Sequence, residues 1–384
     1  MSDQLLSEDE LLLKNTVRDF ADRELAPRAA AYDESGDFPW DNIRGLASLG
    51  LLGLTIDEEY GGSGGSARQL VLAMEEIARG CAATSVIFVA HLSLCAQFIN
   101  MFGTEGQKRR FVPPLASGEK LGAFALTEPG SGSDAAALRT TATRSDGGYI
   151  LNGSKLFITN ASEADTFVVM ASHDLEQGAR GIDALVVERD TEGLTINPQH
   201  GKMGMRASST SEMVFQDCPV PGENRLGDEG HGFRQAMQML TASRIAIAAQ
   251  CVGIARAAFE ASVQYAKQRE AFGQPLADFQ AIQWMIADMA TGIDAARLLV
   301  HHAATLLDKG LPFVVEASKA KLFASRVAVD SADKGVQIHG GAGYFAPTPV
   351  ERYFRDAKVT EIYEGSSEIQ RLVIARNILQ SETL

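Results

Sequence analysis

The chain has 384 residues, 45% of them hydrophobic and 22% charged, with a formal net charge of -14. That length supports two or three domains and a large core, and the acidic balance excludes general affinity for nucleic acid or anionic membrane surfaces, which need clustered Lys and Arg. The cysteines Cys81, Cys95, Cys218 and Cys251 show no metal-ligand spacing and form no disulfide framework, so a reducing, cytoplasmic setting without a metal site is expected.

Residues 1–120 read as a helical domain. The start, Met1-Ser2-Asp3-Gln4, lacks the basic residues and apolar run of a secretory signal. Ser7 with Glu10 forms a capping box, followed by Leu13, Val17 and Phe20 on one face, and Pro27 falls where that pattern ends. A second helix is expected around Ile43 to Leu52, then a mobile glycine-rich loop, Glu59 to Gly65, then a helix carrying Leu70, Met74 and Ile77. Gly80 to Thr104 is a run of 25 residues without a charge, long enough to cross a bilayer. His91, Ser93, Gln97 and Asn100 interrupt it and no basic cluster flanks it, which predicts a buried helix lining a pocket.

Residues 121–228 change period and read as a β domain, a compact barrel or sandwich. Asn152-Gly153 between two apolar runs predicts a tight hairpin, because Asn-Gly accepts the positive φ of such turns. Further strands are expected at Phe167 to Ala171, Ala184 to Glu188 and Glu212 to Phe215. Residues 229–384 return to long helical patterns: Phe233 to Arg269 has no Pro and one Gly, and helices follow around 279–308, 313–338 and 367–379. Long alanine-rich amphipathic helices pack as a four-helix bundle. The fold class is α+β, in the order helical, β, helical.

Near the C-terminus, Ser367 followed by Gln370 predicts another capping box and a helix with Ile369, Leu372, Val373 and Ile378 as apolar positions. Glu364 then falls on the preceding loop, between Tyr363 and Gly365. A carboxylate there can project into a pocket, where desolvation raises its proton affinity and suits it to act as a general base. By spacing alone, Glu361, Glu364 and Glu368 also fit an acidic stripe on a helix surface. Gly341-Ala342-Gly343-Tyr344-Phe345-Ala346 formally fits a dinucleotide-binding pattern, but it follows a helix and lies in no βαβ unit. Thr127-Glu128-Pro129-Gly130-Ser131-Gly132-Ser133-Asp134 offers backbone N–H groups and hydroxyls that could hold a pyrophosphate, and it fits an ordinary surface turn equally well.

Taken together, the Thr127 to Asp134 run, Lys155-Leu156-Phe157-Ile158-Thr159-Asn160, Gln268-Arg269-Glu270-Ala271-Phe272-Gly273, Gln337-Ile338-His339-Gly340-Gly341-Ala342-Gly343-Tyr344 and Ile362-Tyr363-Glu364-Gly365 occur in one order over nearly the whole chain. In that order they closely resemble the flavin-dependent acyl-CoA dehydrogenases. Arg206-Ala207-Ser208-Ser209-Thr210 and the stretch from Glu361 to Ala375 look most like the short-chain, butyryl-type branch.

The resemblance implies an FAD enzyme of fatty acid β-oxidation that converts a short- to medium-chain acyl-CoA to the trans-2-enoyl-CoA and passes electrons to an electron-transfer flavoprotein. Glu364 would abstract the α-proton while a hydride passes to flavin N5, with the thioester carbonyl polarised by the Glu364 backbone N–H and a ribityl hydroxyl. Some relatives carry the base at the position of Ser243, which has no carboxylate here. Ser133, Arg244, Tyr363, Gly365 and Arg376 match substrate-side positions, and Ile87, Phe88 and His91 are expected on the floor of the acyl cavity. The family often has an acidic residue where this chain has Thr241, which leaves one CoA contact open.

The same resemblance assigns Phe124, Leu126, Thr127, Gly132, Ser133, Phe157, Ile158, Thr159, Ser366 and Glu368 to the FAD. It assigns Arg269, Phe272, Gln280, Gln337, Gly340 and Gly341 to the FAD of a neighbouring subunit, and so implies a homo-oligomer, usually a tetramer. Phe157 stands where many relatives have Trp and covers less of the flavin face. Branched or ring acyl groups stay open. A relative that removes carboxylate or sulfinate would need a cation for the second anion, and residues 80–104 contain none. A non-catalytic DNA-binding or adaptor member is opposed by the acidic balance and the intact Glu364; an oxidase would turn over in air without another acceptor.

Overall fold

The computed structural model describes residues 5–380. Ser7 caps α1 (Glu8–Phe20) in a full capping box with Glu10. The helix does not end at Pro27: a π turn at Ala21–Leu25 carries it into α2 (Ala26–Ser35), with Pro27, which has no N–H to donate, in the first turn after the π segment. After α3 (Trp40–Ser48) the glycine-rich loop is folded back on itself, not loose: Ser63, Gly64 and Gly65 donate to the carbonyls of Gly53, Ile56 and Leu54 at 3.0, 2.8 and 2.7 Å. Then come α4 (Ala67–Gly80), α5 (Ala82–Val89), a π segment (Ala90–Ala96), α6 (Gln97–Phe102) and α7 (Glu105–Ala116). The uncharged run is thus one irregular helix, with 94% of its most apolar window buried inside the fold.

The middle of the chain is one sheet of eight strands: β1 (Gly122–Ala125), β2 (Thr141–Ser145), β3 (Gly148–Thr159), β4 (Thr166–Ser172), β5 (Ile182–Glu188), β6 (Leu194–Pro198), β7 (Thr210–Pro221) and β8 (Arg225–Leu226). They run in the order β6-β7-β3-β2-β4-β5-β8, with β1 parallel to β4. Alternation along β4 explains its complete burial: Phe167, Val169 and Ala171 face the sheet's own core, and Val168 and Met170 face the helices.

Asn152-Gly153 is not a hairpin turn. The chain reverses at Asp146-Gly147, which has the same turn chemistry, and β3 runs straight through Asn152 and Gly153. Gly153, with φ +142°, lies opposite a bulge in β7 around Asp217 (φ +48°), and a Cβ on it would come within 2.7 Å of Thr140 Cα. Asn152 instead accepts from the backbone N–H of Asp217 at 2.9 Å.

The C-terminal part consists of α8 (Gly232–Gln268), α9 (Gln280–Asp308), α10 (Val314–His339), α11 (Pro349–Lys358) and α12 (Ser367–Gln380). Glu75 and Glu76 on α4 fasten the two helical parts together. Arg256 of α8 lies 3.1 and 2.7 Å from them, Arg297 of α9 lies 2.9 Å from Glu75, and Arg18 of α1 lies 3.1 Å from Glu76. Burial opposes ionisation of Glu75, yet the Arg297 and Arg256 guanidiniums overcome it and hold the carboxyl at about 2.

Candidate active site

A cavity opens where the sheet meets both helical parts. Its apolar wall comes from Val86, Val89, Ala90 and Leu94 of the uncharged helix, with Met237, Leu240 and Ile247 of α8. Its polar side comes from the loop after β1, the end of β3, and Tyr363, Glu364 and Gly365.

A bulge in β3 shapes one side. Between Lys155 and Ile158 the register against β7 slips, and Phe157 takes φ +59°. Its ring is 65% exposed and stands in the cavity, although a phenylalanine on a central strand would ordinarily be covered. The Leu156 N–H, freed from the ladder, donates to Thr127 O at 2.8 Å. Lys155 completes this tie, with Nζ 3.1 Å from Leu126 O and 2.7 Å from Glu128 Oε1. Glu128 in turn accepts from the N–H groups of Arg139 and Thr140 at 2.6 and 2.9 Å. The loop that carries Thr127, Gly132 and Ser133 is therefore anchored from beneath. A Cβ at Gly130 or Gly132 would meet nothing within 4 Å, so this loop presents open space to a ligand.

Glu364 sits on a left-handed loop, with φ +56° followed by Gly365 at +88°. The capping box expected at Ser367 does not form. Ser367 is already the first helical residue of α12, and the Gln370 side chain turns back to the loop, donating to Gly365 O at 2.8 Å. Lys321 of α10 donates to the same carbonyl at 2.8 Å. Tyr363 donates its hydroxyl to Gln250 of α8, whose amide donates to Ser85 Oγ at 2.8 Å. The loop is pinned on both sides of the glutamate.

Among the described residues, Glu364 Oε2 is out of solvent with no hydrogen-bond partner, and the backbone N–H of Glu364 donates to no backbone carbonyl. Burial pushes the carboxyl up to about 7, against the pull of Arg244, Lys321 and the neighbouring Ser243. Arg244 is 6% exposed with its Nε unpartnered; burial lowers its proton affinity and Glu364 raises it. A buried carboxylate that titrates near neutrality beside a guanidinium can take a proton from a weak carbon acid.

Of the residues singled out from sequence, Ser133, Arg244, Tyr363, Glu364 and Gly365 come together around this cavity, with Phe124, Leu126, Thr127, Gly132, Phe157, Ile158 and Thr159. Ile87, Phe88 and His91 do not line it. They are fully buried on other faces of the helix, and His91 is engaged with Leu115 O at 3.1 Å and the Gly122 N–H at 3.0 Å. Val86, Val89, Ala90 and Leu94 take the cavity positions. Arg376 is exposed on α12 and also lies off the cavity.

Ser366 is half-buried beside the loop, and Glu368 is exposed and paired with Arg371 at 3.7 Å. Arg269, Phe272, Gln280, Gln337, Gly340 and Gly341 are all exposed. They gather at one end of the bundle, where Tyr265 of α8 stacks on His339 of α10 at 4.2 Å. Sequence reasoning missed Lys155, Gln250 and Lys321. A signal existed for Lys321, which interrupts the buried stripe Ala317, Ala320, Ala324 and Ala328 on α10.

Comparison with known proteins matches the chain to the acyl-CoA dehydrogenase N-terminal, middle and C-terminal domain models over residues 7–119, 123–218 and 230–379. The short-chain specific acyl-CoA dehydrogenase of Clostridium acetobutylicum is 48% identical over 375 residues, covering 98% of this chain and 99% of that protein. Among solved structures, butyryl-CoA dehydrogenase from Megasphaera elsdenii is 46% identical with a TM-score of 0.96, covering 98% of this chain and 99% of that one. A chain from the structure of the electron transferring flavoprotein of Acidaminococcus fermentans is also 46% identical, with a TM-score of 0.97 and coverage of 99% and 100%. This chain belongs to the acyl-CoA dehydrogenase family.

Proposed function

We propose that the protein dehydrogenates a short-chain acyl-CoA at its α,β-carbons, as a cytoplasmic flavoenzyme of fatty acid β-oxidation with Glu364 as the base. The observation that carries this reading is the desolvated Glu364 carboxylate at the cavity beside Arg244, its Oε2 without a hydrogen-bond partner among the described residues. The residues present suit an FAD: Phe157 held out by its bulge offers a ring face, Thr127, Ser133 and Thr159 offer hydroxyls, and the glycines of the anchored loop leave room for a bulky ligand. When bound, FAD supplies the hydride acceptor for the β-carbon.

The protein's own work is to position and to move one proton. The apolar wall holds the acyl chain and excludes water, which strengthens every charge interaction inside. The N–H of Glu364, not used by the backbone, donates to the thioester carbonyl and stabilises the enolate that develops there. The α-proton passes to Glu364 Oε2, and the electron pair it leaves becomes the new double bond as the β-hydrogen departs with its own pair. An apolar pocket separates neighbouring chain lengths by only about 1–3 kcal/mol per methylene.

The exposed group Arg269, Phe272, Gln280, Gln337, Gly340 and Gly341 suits contact with the FAD of a second copy in a homotetramer. The likeness to a chain of the Acidaminococcus structure supports an electron-transfer flavoprotein as the redox partner. Anaerobic visible spectra of the purified protein, recorded with acyl-CoAs of increasing length, test the reading. Flavin bleaching by butyryl-CoA that is lost in Glu364→Gln is expected. A flavin that no straight-chain acyl-CoA bleaches would overturn it.

A further inference from the structure

Lys321 is a lysine shut away from the protein surface. It lies in the middle of α10, its side chain fully buried, and among the described residues its ammonium donates to one acceptor, the Gly365 carbonyl at 2.8 Å. An ammonium carries three donors, and burying it against a single neutral acceptor is unfavourable unless an anion stands close by. Charged and titratable groups reach it from every side: Glu364 from the loop, Cys251 and Arg244 from α8, Glu361 from the turn before the loop, and more distantly Glu368 of α12. Of these, Cys251 is held neutral by burial, and Glu361 and Glu368 already pair with Lys358 and Arg371. The remaining anion is Glu364.

Facing Glu364 are Arg244 from α8, Lys321 from α10, the Ser243 hydroxyl and, from its own loop, the Tyr363 phenol. Arg244 lines the cavity, where a substrate lies, whereas Lys321 does not. Lys321 therefore meets the loop from behind, at the carbonyl of the residue that follows the base.

Resting on the assignment of Glu364 as base, we propose that Lys321 is a positioning residue of the reaction. Its ammonium fixes the Gly365 carbonyl, and with it the left-handed turn that aims the carboxylate, and its charge keeps that carboxylate in the ionised form able to accept a proton. Gln370 shares the first task, because its amide meets the same carbonyl at 2.8 Å, but it is neutral and cannot share the second. The effects of Lys321 and Gln370 are thus separable.

The test is the titration of Glu364 in the FAD-loaded enzyme, followed by its carboxyl stretch in pH-difference infrared spectra and assigned by subtraction of Glu364→Gln. In Lys321→Met the midpoint is expected to rise by about one pH unit, a tenfold gain in proton affinity. The acid limb of kcat/KM for butyryl-CoA should move with it. Lys321→Arg should restore both, and Gln370→Leu should lower kcat at every pH without moving either. Should Lys321→Met fail to fold, Lys321→Gln keeps an N–H for the carbonyl and carries the same expectation. An unmoved midpoint, with activity lowered equally at all pH values, would overturn the proposal. Full activity in Glu364→Gln would instead sink the base assignment, so the two failures are distinguishable.

Discussion

Lys155 and Glu128 form an ion pair of 2.7 Å whose side chains are 0% and 5% exposed, directly beneath the loop that carries Thr127, Gly132 and Ser133. Burial raises the Glu128 carboxyl, but Lys155 and the Thr140 and Arg139 N–H groups more than offset that and hold it below the ordinary carboxylate range. Removing one partner strands the other in a dry site, which costs about 3–5 kcal/mol. Lys155→Met is accordingly expected to lower the thermal midpoint and to release FAD on gel filtration. A variant that keeps its flavin and its melting temperature would show that the loop is held by its backbone alone.

Gly365 is required twice over. Its φ of +88° disfavours any side chain, by about 1–2 kcal/mol, and a Cβ there would meet Gln370 Nε2 at 2.5 Å. Gln370 can swing away, but the Gly365 carbonyl then loses one of its two donors. Gly365→Ala should lower kcat at least tenfold, with a smaller loss of stability, by steady-state kinetics and thermal melting read together. Equal kcat would mean that the base tolerates a loosened turn.

The parts that were legible in the sequence are those whose signals are local. Helices α8, α9 and α10 follow from long amphipathic patterns without proline, and the capping box of Ser7 and Glu10 formed as read. The hairpin was misplaced because Asp146-Gly147 and Asn152-Gly153 carry the same turn chemistry, and only the pairing with β2 and β7 decides which of them is the turn. The helix around Val86 to Leu94 is apolar all round, so no polar face marks which side meets the cavity; the expected floor residues Ile87, Phe88 and His91 fell on other faces. The alanine stripe of α10 marks Lys321 as buried, but what Lys321 and Lys155 hold was unreadable because their acceptors lie 44 and 27 residues away.

A base held ready for a weak acid destabilises the fold that holds it. The Glu364 carboxyl rises from an ordinary 4.5 to about 7, so the folded protein binds this proton more tightly than the unfolded chain does. The contribution is complete below about pH 4.5 and is lost as pH rises through about 7, an order of 2–4 kcal/mol. Glu364→Gln removes the titration. The variant should melt higher than the parent at pH 8 and gain little at pH 5. A gain that is the same at both pH values would show that ionisation is not its source.

His91 carries the opposite sign. Its Nδ1 accepts the Gly122 N–H at 3.0 Å, so the ring proton is on Nε2, facing Leu115 O at 3.1 Å; the neutral ring thus joins α7 to β1. Burial lowers its pKa from 6.5 to about 4, against the pull of its backbone acceptors, because a second proton would break the Gly122 bond and charge a dry site. The stability it contributes is present above pH 6.5 and is lost as pH falls towards 4, where the unfolded chain is already protonated. His301, also lowered to about 4, adds a second such group, so the acid limb should steepen by up to about 1.4 kcal/mol per pH unit for each. His91→Gln should lower the urea midpoint at pH 7.5, where two buried hydrogen bonds are disturbed, and the gap to the parent should narrow by pH 5. If the gap stays constant, the histidine is a packing element and not a titrating one. The narrowing is the sharper observable, because a packing defect alone does not depend on pH.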